Sequence, residues 1–110
     1  MPTAYKILGQ AAPANTSNAD LYTVPSATTA VVSTLAIANT TATSALGRVF
    51  IVPSAGSAAT SNAIVYDYSL QGNSTTALTL GITISTGDKI IVRTGTANAL
   101  TFHAFGSEIS

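Results

Sequence analysis

One histidine and four carboxylates hold most of the acid–base chemistry this chain can offer near neutral pH: His103, Asp20, Asp67, Asp88 and Glu108. There is no cysteine, which removes disulfides, thiolate metal sites and cysteine nucleophiles together. A Ser-His-Asp relay would have to run through His103, with Asp67 or Asp88 as its carboxylate. No G-x-S-x-G turn is present to expose a nucleophilic serine for it. Within LTFHAF, His103 shares a strand face with Thr101 and Phe105 and opposes Phe102 and Ala104, so a structural or interface role is expected and no enzymatic activity. The carboxylates are scattered, with no pair at ligand spacing, and no metal or cofactor is expected.

Asp67 stands between Tyr66 and Tyr68, an arrangement that suits sugar recognition by ring stacking and hydroxyl bonding. Strand alternation would put the tyrosines on one face with Ile64 and Leu70, and Asp67 on the other, which favours core or interface tyrosines. Ser85 to Asp88 has capping-box spacing, but the β-branched KIIVR that follows makes it a turn and not a helix start. N-x-S/T triplets at Asn15, Asn39 and Asn73 are ordinary coincidences in a chain so rich in Ser and Thr, and no glycans are assigned. An ice-binding array needs T-x-T at a fixed period, and no internal repeat is visible.

These residues must be carried by strands. Leu78, Leu80, Ile82 and Ile84 alternate with Thr79, Gly81, Thr83 and Ser85, the period of a half-buried strand. Ser85–Asp88 then turns the chain, with a glycine free to take positive φ and a carboxylate able to hold nearby amides. Ile90 and Val92 follow on one face against Lys89, Ile91 and Arg93. After a break at Thr94–Thr96 the alternation resumes through Leu100, Phe102 and Ala104. The stretch from Thr76 to Phe105 reads as a β-meander. Earlier strands are expected at Ala4–Gly9, Leu21–Val24, Thr29–Asn39, Leu46–Val52 and Ala63–Leu70, two of them closed by Pro25 and Pro53. In the first, Tyr5, Ile7 and Gly9 share one face and Lys6 and Leu8 the other. Thr29–Asn39 also has apolar residues at helical spacing, but its Val, Thr and Ile content and lack of caps favour a strand. About eight short strands with regular turn signals predict an all-β, single-domain antiparallel sandwich over residues 1–110, jelly-roll or immunoglobulin-like. Strand order is not encoded in periodicity, so both topologies stay open.

At 110 residues the chain supports one core. Only 7% of its residues are charged against 46% hydrophobic, and nearly half are Ala, Ser or Thr, so its surface is built from small neutral side chains that do little to repel a neighbour. Lys6, Arg48, Lys89 and Arg93 form no basic stripe, which argues against nucleic acid as a partner. The opening MPTAYKILGQAAPANTS lacks the form of a signal peptide, and the apolar-rich Thr29–Ala38 is too short to span a membrane.

Four stretches carry a resemblance: the opening MPTAYKILGQ, LYTVP at Leu21–Pro25, LTLGI and GD leading into an apolar strand, and FHAFGSEI at Phe102–Ile109. With them the chain resembles, over nearly its whole length, a family of small virion proteins from tailed bacteriophages, especially those of cyanobacterial and marine hosts. The resemblance implies a non-enzymatic component of the particle surface, foremost a capsid cement or decoration protein that clamps the major capsid protein. Such proteins are commonly small sandwiches and often trimers, so a homo-oligomer, with a trimer favoured, is implied too. The alternatives are a tail, neck or fibre component, or a glycan-binding adhesion module using Tyr66, Tyr68 or Phe102. Both chain ends are mostly uncharged, and Pro2–Gln10 and Ala104–Ser110 are the expected contact segments, with Tyr5, Ile7, Leu8, Phe105 and Ile109 as candidate interface residues.

Overall fold

The computed structural model describes residues 3–110, the side chain of Leu80 excepted. The expectations for Pro2 and for the face taken by Leu80 therefore lie outside the described residues. Among the described residues eight strands form: β1 (Thr3–Ala11), β2 (Ala19–Thr23), β3 (Thr29–Asn39), β4 (Ala45–Val52), β5 (Ala63–Leu70), β6 (Thr75–Ser85), β7 (Lys89–Thr94) and β8 (Leu100–Ile109), with one 3-10 turn at Thr60–Asn62. Thr29–Asn39 is a strand along its full length.

The strands make two four-stranded sheets, ordered β1-β8-β3-β6 and β2-β7-β4-β5, and every pairing is antiparallel. Only β4 and β5 are consecutive strands paired within one sheet; every other connection crosses between the sheets. This alternation is the eight-stranded jelly roll and differs from the immunoglobulin arrangement. It also corrects the meander expected from Thr76 to Phe105. β6 and β8 both flank β3, while β7 lies in the opposite sheet between β2 and β4. The turn residues were read correctly, but a turn that crosses between sheets needs the same local chemistry as a hairpin. At Ser85–Asp88, Gly87 has φ +86°, and the Asp88 carboxylate accepts from the amides of Ser85 and Ser54, both at 2.9 Å.

The core lies between the sheets around Phe102, Leu35, Ile37, Ile90 and Leu100, all fully buried. A second, smaller cluster sits outside the β4–β7 pair. Phe50, Val52 and Ile91 are buried there beneath Ala58 and Ala63. Ile91 was expected beside Lys89 and Arg93 on a mixed face, but the segment from Ser54 to Asn62 folds over it. Asn39 is buried, and its side chain organises the loop that follows. Its amide donates to the carbonyls of Thr43 and Leu70, and its Oδ1 accepts from the amide and hydroxyl of Thr41.

The sandwich has one tied flank and one open flank. β1 approaches β2, and there Glu108 of β8 bridges the sheets. Tyr22 of β2 donates its hydroxyl to Glu108 Oε2 at 2.5 Å, and Lys6 Nζ lies 2.9 Å from Oε1. On the other flank, β5 and β6 leave between them a groove of about 570 Å³ lined by Ile37, Val65, Tyr68 and Leu78 among others.

Candidate protein interface

The outer face of the β1-β8-β3-β6 sheet is set by strand alternation and register. Residues whose inward neighbours fill the core must themselves point out. The pairings line them up in rows across the sheet: Thr3–Ile109–Thr29–Ser85, Tyr5–Ser107–Val31–Thr83 and Ile7–Phe105–Thr34–Thr79. Two further rows follow, Gln10–His103–Ala36–Ala77 and then Thr101–Ala38–Thr75. Among the described residues, no Lys, Arg, Asp or Glu points outward in these rows. The β1–β8 end carries the large apolar side chains, Tyr5, Ile7, Phe105 and Ile109, among neutral polar ones, and the β6 end is rich in hydroxyls.

Tyr5 is 86% exposed and Ile7 53% exposed, a large apolar investment on a free surface. Phe105 and Ile109 are half-buried beside them. Tyr5, Val31, Ser33 and Phe105 surround a shallow hollow of about 470 Å³. The one charge at its rim, Lys6, is engaged by Glu108. Hydrogen bonding from Tyr22, and then from Lys6, holds the Glu108 carboxyl below the usual carboxylate range. Burial, then the bond to Glu108, raises the Tyr22 phenol well above its ordinary value. Charge on this side of the molecule is thus paired and turned inward.

The register brings four of the five sequence-derived candidates, Tyr5, Ile7, Phe105 and Ile109, onto this one face. Leu8 is a correction: at 9% exposure it belongs to the core. Alternation after the outward Ile7 turns Leu8 inward; a bulge between Ile7 and Gly9 then shifts the register against β8, so Gly9, expected on the face of Tyr5 and Ile7, also turns inward and Gln10 turns out. At Gly9 a side chain would meet the Leu21 carbonyl oxygen at 2.1 Å. Val31 was missed. A bulge between Val32 and Thr34 breaks the alternation that would set it on one side with Leu35 and Ile37, and turns it outward beside Ser107.

His103 sits on the same face. The Gln10 amide donates to its Nδ1 at 3.2 Å, and its ring lies parallel to Phe105 with centroids 6.3 Å apart. It has neither a carboxylate partner nor a serine in hydrogen-bond contact among the described residues. No group of three His, Cys, Asp or Glu side chains gathers at metal-binding distance among those residues.

The comparisons with known proteins bear on the fold. No family model matches the chain, and no curated protein matches it. Solved virus structures do. A chain in the structure of infectious bursal disease virus, Gt strain, superposes with a TM-score of 0.50 at 12% identity, covering 97% of this chain and 30% of that one. A chain of the Gx strain gives 0.50 at 14% identity, with 97% and 31% covered. The whole molecule thus corresponds to less than a third of each virus chain, and at such identities the likeness is one of fold.

On the second sheet the tyrosines behave differently from expectation. β5 bulges opposite Arg48, with Asp67 at φ +52°. The expected separation of Asp67 from the tyrosines is lost at that bulge. Arg48 makes a forked pair with Asp67, at 2.7 and 3.2 Å, and stacks over the Tyr66 ring at 4.1 Å. Tyr66 and Asp67 line the open groove together with Tyr68. Phe102, the third residue of the glycan reading, is fully buried and is unavailable to a ligand.

Proposed function

We propose that this chain is a structural component of a virus particle, a capsid cement or decoration protein of a tailed bacteriophage, and that it binds the major capsid protein through the outer face of the β1-β8-β3-β6 sheet. The observation that carries the reading is that uncharged face, with Tyr5 and Ile7 held out on the edge strand β1. Support comes from the jelly-roll fold shared with chains of the infectious bursal disease virus structures. The resemblance of its motifs to small virion proteins of tailed phages adds the phage origin. On this reading the chain has no catalytic task, and His103 serves by packing against Phe105 and Gln10. Its place is the particle surface, where many copies on a lattice reinforce one another and modest contacts suffice.

The test uses particles stripped of, or lacking, the protein, to which recombinant chain is added back. Replacing Tyr5 and Ile7 together by serine removes about 2 kcal/mol per anchor, which weakens binding roughly a thousandfold for the pair. Both side chains are exposed, so folding is retained. Undiminished binding of the folded double variant would overturn the assignment of this face.

A further inference from the structure

We propose that the open flank of the sandwich pairs with a second copy of this chain, β6 against β6 about a twofold axis, so that the first sheet continues across two molecules. The four edge strands are not alike. β1 carries Lys6, β2 carries Asp20 and β5 carries Asp67, whereas β6 runs eleven residues as TTALTLGITIS with no charge and no proline. Charge and proline are the usual devices that keep a free edge from pairing, and β6 has neither.

A second copy fits this flank in chemistry and in size. In antiparallel self-pairing, residues meet others of the same face, so threonines such as Thr79 and Thr83 pair among themselves while Leu78 and Ile82 extend the core. The same twofold sets β5 beside its mate, where Ile64 and Tyr68, 45% and 49% exposed, close over the groove. A β6 strand is roughly 37 Å long at about 3.4 Å per residue. Multiplied by the 20 Å thickness of the molecule, that gives roughly 700 Å² per copy, close to the ~800 Å² per partner of a standard stable interface. An isologous contact needs self-complementarity, which a neutral edge supplies. The pairing concerns the chain in solution and does not depend on a role in a particle.

Light scattering across a concentration series tests it, together with hydrogen exchange of the β6 amides. The wild-type chain is expected to show twice the monomer mass at high concentration, with β6 amides that exchange more slowly as dimer forms. Thr76→Lys points a charge into the groove mouth and Thr79→Lys places one on the outer edge. Each enters the interface twice and raises the dissociation constant about tenfold or more, while exchange in β3 and β8 stays unchanged as the control for folding. A wild-type chain that is monomeric at all concentrations, a trimer, or a dimer indifferent to both lysines would overturn the proposal.

Discussion

The tie between the sheets at Glu108 is the place where one hydrogen bond can be weighed. Tyr22→Phe deletes a 2.5 Å hydroxyl-to-carboxylate bond and leaves the ring in its packing position. Lys6 remains beside the carboxylate, so the loss is that of one charge-assisted bond, about 1.5–3 kcal/mol. With an unfolding entropy of about 2.1 cal/mol/K per residue over the chain, the Tm falls by roughly 6–13 °C. The pH dependence carries the sharper signature. Because the folded Glu108 carboxyl titrates below its unfolded value of about 4.3, its contribution is complete above that pH and is lost as pH falls through the lower folded value. The Tyr22 phenol titrates higher when folded. Its contribution is therefore complete below about pH 10 and is lost as pH rises from there toward the folded value. Denaturant melts of wild type, Tyr22→Phe and Glu108→Gln from pH 2 to 11 measure both arms. Tyr22→Phe should remove the alkaline decline assigned to this phenol, and both variants should flatten the acid one. If Tyr22→Phe lies within about 0.5 kcal/mol of wild type and keeps the same pH curve, the sheets are not tied here.

The turn at Ser85–Asp88 should be equally exposed to test. Asp88→Ala frees two backbone amides, on Ser85 and Ser54, and costs about 2 kcal/mol in chemical denaturation. Gly87→Ala, forced to φ +86° with its methyl 2.5 Å from Ser54 Oγ, costs about 1–2 kcal/mol. On the interface face, Tyr5→Ser and Ile7→Ser each shift stability by less than about 0.5 kcal/mol in the same assay while weakening capsid binding about thirtyfold apiece. A large stability loss would recast both as buried supports.

The strands themselves were legible because each buries one face, and two-residue alternation records that directly. Thr29–Asn39 and the Ser85–Asp88 turn were read correctly for that reason. Three things were not legible. Pairing is non-local, so β6, β7 and β8 looked like neighbours although they alternate between sheets. Bulges cost one residue and leave no pattern, so Gly9 was placed on the face of Tyr5 and Ile7 and Asp67 was separated from Tyr66. The cover over Ile91 comes from a loop without periodicity. Of the candidate face, Tyr5, Ile7, Phe105 and Ile109 were visible as apolar residues near the chain ends. Their convergence, and the part played by Val31, required the register of β1 and β3 on either side of β8. The Tyr22–Glu108 bond joins residues 86 positions apart, and no spacing rule reaches that far.

A reconstruction of the intact particle at side-chain resolution measures the proposed role most directly. Density for this jelly roll on the capsid exterior is expected, at a copy number comparable to that of the lattice protein, with Tyr5, Ile7 and Phe105 buried against it. Finding the chain absent from the particle, or present with that face open to solvent, would contradict the proposal.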